Sequence, residues 1–123
     1  MDTNVVIELL GGTLPESGSE WLQQIIDRDA HRLSVINEIE LLGFNGSDSE
    51  MEIVGDFVSG THVFLLTDAV VRQTINLRKA YRIKLPDAII AATALAYDCV
   101  LVSRNTADFD RIDGLSLINP HLR

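Results

Sequence analysis

Leu85-Pro86-Asp87-Ala88-Ile89-Ile90-Ala91-Ala92-Thr93-Ala94-Leu95-Ala96 is the stretch on which the fold turns. After Asp87 every side chain is apolar or small, so the segment reads as a helix buried nearly all round with close backbone neighbours. Pro86 suits the first helical position, having no N–H to lose and a preset φ. Asp87 then lies in the first turn, where the helix dipole favours its carboxylate. Read alone, it either supports that dipole or is a charge set at the lip of the core for chemistry.

A helix buried on all sides needs a sheet beside it. Short apolar runs at residues 33–36, 63–66 and 99–102, each followed by a helical pattern or a polar turn, supply the strands. This alternation implies an α/β fold with a parallel sheet covered on both faces. Ligands of such sheets bind beyond the carboxyl ends of the strands. A helix over residues 20–27 groups Trp21, Leu22, Ile25 and Ile26. A second, capped by Ser47 or Ser49, runs through Glu50, Ile53, Val54, Phe57 and Val58. Trp21, Ile36, Ile39, Ile89, Ile90, Leu95, Val100 and Val102 are the expected core, with Cys99 an inert core thiol.

The length of 123 residues fits one domain, 1–123, and the segments around Gly11-Gly12 and Gly43 are loops between elements, not linkers. With 46% hydrophobic and 23% charged residues the chain is neither disordered nor collagen-like. The single cysteine, Cys99, excludes an internal disulfide framework and a cysteine-rich zinc module. No run approaches the roughly 18 apolar residues of a membrane span, and Met1-Asp2-Thr3-Asn4 lacks the order of a signal peptide. A cytoplasmic protein without membrane contact is expected. The net charge of −8 argues against a general nucleic-acid coat protein. The charge is uneven, however. Residues 1–60 carry twelve acids against two bases, and residues 61–123 six against eight. Arg72, Arg78, Lys79, Arg82, Lys84 and Arg104 form a basic stretch that is either a solvated face or a surface for a polyanion.

Three other acids occupy places like that of Asp87. Asp2 opens a polar triplet before the apolar run Val5-Val6-Ile7 and is as well suited to capping a helix as to binding a ligand. Asp108 follows the strand at 99–102 through a polar loop, with Phe109 as its anchor. The last must be Glu38 or Glu40, which on a helix point about 200° apart, so only one faces a shared site. The apolar moment of Ile36, Ile39, Leu41, Leu42 and Phe44 lies about 50° from Glu40 and about 150° from Glu38. Glu40 is therefore the inward candidate. Acids gathered at the ends of several elements repel one another unless a cation joins them. An oxygen-only set favours Mg²⁺ or Mn²⁺ over zinc. His31, His62 and His121 share no ligand spacing and are read as non-ligands.

Four blocks now stand out: Asp-Thr-Asn-Val-Val-Ile at residues 2–7, Ser-x-Ile-x-x-x-Glu-Leu at 34–41, Leu-Pro-Asp-Ala-Ile-Ile-Ala-Ala-Thr-Ala at 85–94, and Val-Ser-Arg-Asn-x-x-Asp-Phe at 102–109. In this order, over essentially the whole chain, they resemble a PIN domain, in particular the VapC-type toxin ribonucleases of bacteria and archaea. The resemblance implies a parallel sheet of four or five strands flanked by helices and Mg²⁺- or Mn²⁺-dependent cleavage of RNA to 3′-hydroxyl and 5′-phosphate ends. It places the metal on Asp2 and Asp87, with Glu40 and Asp108 completing the catalytic set. Asn105 matches a polar position that is acidic in some relatives, and Asn4 and Ser103 match small polar supporting positions. Arg78, Lys79, Arg82, Lys84 and Arg104 become the expected contacts to RNA phosphates. An antitoxin protein and a second copy of the chain are the expected partners.

The chain departs from the family at one point. Relatives place an apolar strand before the first acid, whereas here only Met1 precedes Asp2, so either translation starts upstream or the strand is short and Asp2 is loosely held. The rival reading is a PIN-fold module without catalysis that binds a protein or RNA partner. A receiver-type phosphorylation domain would need adjacent acids after the first strand and a late lysine, and has neither here.

Overall fold

The computed structural model describes residues 1–123. The chain runs α1 (Thr3–Gly11), α2 (Glu16–Asp27), β1 (Arg32–Ser34), α3 (Val35–Leu42), α4 (Asp48–Ser59), β2 (His62–Phe64), α5 (Asp68–Ala80), α6 (Leu85–Ala96), β3 (Leu101–Val102), α7 (Thr106–Phe109) and β4 (Leu117–Ile118). A short 3₁₀ turn, Pro120–Leu122, closes it.

α6 is the buried helix that the sequence announces: Ala88 to Ala94 are all buried, and α5 is its most extensive neighbour. Its N-cap is Lys84, so Pro86 is the second helical residue instead of the first. Either place spares an intrahelical bond, because the first four N–H groups of a helix have no partner within it. Ser47 caps α4 and forms a reciprocal box with Glu50, and Ser34 does the same for α3 with Asn37. Each box ends a loop or strand sharply and starts the next helix in a fixed direction.

The apolar run after Asp2 belongs to a helix. Asp2 is the N-cap of α1, accepting from the Thr3 N–H, and Val5 and Val6 are fully buried. The strands are the larger correction. Instead of one parallel sheet of four or five strands, β1 pairs in parallel with β2, and β3 pairs in parallel with β4. The two pairs do not join. Between them lies an apolar cavity of about 360 Å³. The first two residues reach across it: the Met1 ammonium donates to Arg32 O at 2.9 Å and the Asp2 N–H to Val102 O at 2.8 Å. Burial lowers the Met1 ammonium from its ordinary value to about 6.

The core is divided accordingly. One cluster sits around α6 with Val70, Leu77, Leu101, Phe109 and Ile112; a second joins Val6, Leu33, Leu41, Val54 and Val58; a third joins Val5, Leu14, Leu22 and Val102. Met1 packs against the second and the third. Of the expected core, Ile89, Ile90 and Val102 are buried, while Trp21, Ile36 and Leu95 are half-buried. Ile39 and Val100 are 60% and 49% exposed, and Cys99 is only partly covered. Ile39 lies on the outer face of α3, and Val100 and Cys99 line the cavity.

α2 is fixed by the chain's end. Its Gly18 is buried, and a Cβ there would stand 2.1 Å from Pro120 O. Gly18→Ala must therefore push the 3₁₀ turn off α2, and a loss of stability of about 1–3 kcal/mol is expected in thermal or urea unfolding. Gly55→Ala, where nothing lies within 4 Å of the added carbon, is the control and should leave the midpoint unchanged or raise it slightly.

Candidate functional site

Asp2 is placed by its backbone and held by its side chain. While its N–H binds Val102 O, Oδ1 accepts from the Thr3 N–H at 2.9 Å and Oδ2 accepts from the Ser103 hydroxyl at 2.8 Å. Ser103, fully buried after β3, also accepts from the Asn105 N–H at 3.0 Å. Asn105 Nδ2 donates in turn to Asp108 Oδ2 at 3.0 Å. On the other side, the Thr3 hydroxyl donates to Glu40 Oε1 at 2.8 Å and accepts from Asn37 Nδ2 at 3.0 Å. Asn37 Oδ1 is meanwhile occupied by the Ser34 N–H and hydroxyl. A hydrogen-bonded chain thus leads from Glu40 through Thr3 to Asp2, and on through Ser103 and Asn105 to Asp108.

Asp87 stands outside this chain and is joined to it by charge. Its carboxyl is raised above the ordinary value, first by burial and then by the charges of Asp2, Asp108 and Glu40, against a smaller opposing effect of Lys84. Each of the four acids is therefore within electrostatic reach of the same point. Glu38 is not among the charges felt by Asp87, and of the two α3 glutamates it is Glu40 that Thr3 holds. The carboxylates do not form a finished cage, however. No three acids, histidines or cysteines stand at metal-ligating spacing. The polar side chains of Thr3, Ser103 and Asn105 engage oxygens that a cation would use, so the expected single ligand shell appears as a looser, coupled group.

The donor set suits a hard divalent cation: four carboxylates, no thiolate, and no histidine bound to them. His31 bonds to the Thr61 hydroxyl at 3.0 Å and His121 to Glu8 at 2.7 Å, both away from the acids.

Two residues of the network escaped the sequence reading. Asn4 was the expected supporting residue, but its side chain is exposed on α1, and the inward position belongs to Thr3. The signal was the cap: if Asp2 is the N-cap, its follower and not the residue two places on faces the interior. Asn37 was legible as the third residue after Ser34, a capping pattern that also fixes where the Asn37 amide points.

The basic residues divide. Arg78 donates to Ile83 O at 2.6 Å and braces the loop before α6, and Arg104 lies 3.5 Å from Glu8. Lys79, Arg82 and Lys84 are exposed and form no ion pair.

The sequence model of the PIN domain matches residues 1–115. The chain belongs to the PIN domain family. Solved structures agree. A chain of a toxin–antitoxin complex from Klebsiella pneumoniae is 26% identical, with TM-score 0.76 and coverage of 97% of this chain and 94% of that one. A chain of VapBC2 from Rickettsia felis, bound to a DNA fragment from its promoter, is 22% identical at TM-score 0.79, with 95% and 94% covered. For VapBC-1 from nontypeable Haemophilus influenzae the values are 24%, 0.75, 97% and 95%. No curated protein sequence matches. In this PIN domain the four acids come from the start of α1, from α3, from α6 and from α7, so the fold gathers residues as far apart as 2 and 108.

The raised Asp87 carboxyl has a consequence for stability. It binds its proton more tightly folded than unfolded, so its stabilising contribution is present below the unfolded value near 3.8 and is lost as the pH rises through the folded one. At neutral pH without metal, Asp87→Asn should therefore melt at the parent's temperature or above it, with a flatter pH profile above the ordinary carboxylate range. A variant that melts well below the parent would make Asp87 a structural residue.

Proposed function

We propose that this PIN domain is a ribonuclease that hydrolyses RNA phosphodiester bonds with Mg²⁺ or Mn²⁺, and that it is the toxin of a toxin–antitoxin pair. The observation that carries the reading is the hydrogen-bonded chain that holds Glu40, Asp2 and Asp108 beside Asp87, whose carboxyl is raised by burial and then by the charges of those three acids, a charge a divalent cation would relieve.

Asp2 and Asp87 would hold the ion, which when bound polarises the scissile phosphate and makes a water more acidic. The chain's own residues do the rest. Thr3 and Ser103 fix the rotamer of Asp2, and Asn105 fixes Asp108. Glu40, with one oxygen on Thr3 and the other free of protein donors, is suited to orient the attacking water and accept its proton. Lys79, Arg82 and Lys84, exposed just before Asp87, supply positive charge for RNA phosphates that the acidic remainder of the surface would repel. Arg78 and Arg104 contribute less to that surface because each has a partner within the protein.

An antitoxin partner is supported by the neighbouring structures, which are toxin–antitoxin complexes, and by the surface. Ile39, Leu42, Phe44 and Ile53, on α3, α4 and the loop between them, are exposed. An apolar group of this kind fits a protein partner better than water.

Cleavage of mixed RNA tests the proposal. Activity should appear with Mg²⁺ or Mn²⁺, vanish with EDTA, and fall at least about 100-fold in Asp87→Asn, which removes a ligand charge at constant size. Glu40→Gln should cost a similar factor and Glu38→Gln almost nothing. The second reading, a PIN module without catalysis, draws on the absence of a closed metal cage. It predicts no cleavage in either metal and no difference between the two glutamine variants.

A further inference from the structure

Hydrogen bonds join Glu40, Asp2 and Asp108, but not Asp87, so other contacts must set its distance from the rest. Its helix, α6, is entered through a short irregular loop at residues 81–84. Two carbonyls of that loop are bound by arginines from different elements. Arg78, in the last turn of α5, donates to Ile83 O at 2.6 Å. Arg111, two residues past α7, donates through Nη2 to Arg82 O, and its Nε lies 3.5 Å from Asp108 O. The Arg111 guanidinium also stands over the Tyr81 ring, 6.0 Å from its centroid, while the Tyr81 hydroxyl accepts from the Asp113 N–H at 3.1 Å.

Arg78 ties the loop to α5, whereas Arg111 and Tyr81 tie it to the segment of Asp108. One guanidinium thus reaches two backbone carbonyls, the first on Asp108 itself and the second on the loop that leads into the helix of Asp87. The apolar packing below runs the same way, since Ile83, Ala88, Phe109 and Ile112 are buried in one cluster. A guanidinium suits this place because its planar fork holds several N–H groups in fixed directions, and an ammonium on a flexible stem does not. Arg111 is exposed, so its replacement opens no hole in the core.

On the reading of the four acids as a cation site, we infer that Arg111 is a positioning residue for that site. With the Tyr81 ring as its platform, it sets the spacing of Asp87 and Asp108 through their backbone and acts on the cation only through those two acids. Residues that orient metal ligands from behind change metal affinity or turnover about 10–100-fold when they are replaced. The sign is informative here. By charge alone, deleting a cationic side chain near a cation site strengthens Mn²⁺ binding; loss of positioning weakens it.

The test is Mn²⁺ binding to the RNA-free chain, followed by the paramagnetic resonance of the free ion, for the parent, Arg111→Gln, Arg111→Lys and Arg28→Gln. Both Arg111 variants should bind at least about tenfold more weakly than the parent, although the lysine keeps the charge. Arg28→Gln removes a charge from the exposed end of α2 and should bind as the parent does. Tyr81→Phe, which loses only the bond to the Asp113 N–H, should weaken binding by a smaller factor. In RNA cleavage the Arg111 variants should lose kcat with KM nearly unchanged. Their metal-free melting temperatures should stay within about 3 °C of the parent's. Parent-like Mn²⁺ affinity in Arg111→Gln, or full recovery in Arg111→Lys, would overturn the inference, and the second result would leave Arg111 as a charge alone. A melting temperature lowered by more than about 10 °C in both would also overturn it, marking Arg111 as a brace of the fold. Absence of Mn²⁺ binding in the parent itself would remove the cation site, and the positioning role with it.

Discussion

The two hydrogen bonds made by the first two backbone nitrogens, Met1 to Arg32 and Asp2 to Val102, hold the strand pairs together at the place where the site begins. The candidate site is built outward from that bridge. It sets Asp2 between the carboxyl ends of β1 and β3, starts α1 from Asp2 as its cap, and brings Thr3 within reach of Glu40. From the same point Ser103 and Asn105, just after β3, carry the arrangement on to Asp108. An acid on a loop would wander; this one is tied at its N–H and at both carboxylate oxygens.

The electrostatics follow from the same placement. Three of the four carboxylates come from helices and the fourth, Asp2, from the cap of α1, and the one outside the hydrogen-bonded chain, Asp87, bears the shift. Its helix is the most thoroughly buried of all, so Asp87 cannot retreat without moving the core. Asp87 is thus held at a fixed point where burial and the charges of Asp2, Asp108 and Glu40 raise its carboxyl.

Much of this was legible. α6 could be read because its composition leaves no polar face, whereas the direction argument that favoured Glu40 over Glu38 met a mixed outcome: Thr3 bonds to Glu40, yet Glu40 is exposed, Glu38 is half-buried and Ile39 of the supposed apolar face looks outward. Ser47 and Glu50 announce the start of α4. The continuous sheet was not recoverable, because each strand of two or three residues was read as half of a larger pattern, and whether strands join depends on what lies between them. Val100 shows this well. Its run with Leu101 and Val102 has the composition of a buried strand, but Val100 lies on the cavity wall and is 49% exposed. Ile39 failed for another reason: α3 has apolar residues on two faces, and one of them looks outward. Thr3 and Asn37 were overlooked because hydrogen-bonding side chains at caps carry no periodicity.

The central claim is that Asp2 and Asp87 together define a cation site. The most direct measurement is the anomalous signal of Mn²⁺ in crystals soaked with the ion. The account predicts one ion in direct contact with carboxylate oxygens of both Asp2 and Asp87, with Glu40 and Asp108 reached directly or through water. Manganese bound only at exposed acids such as Asp68, with the Asp2 and Asp87 carboxylates unchanged, would contradict it.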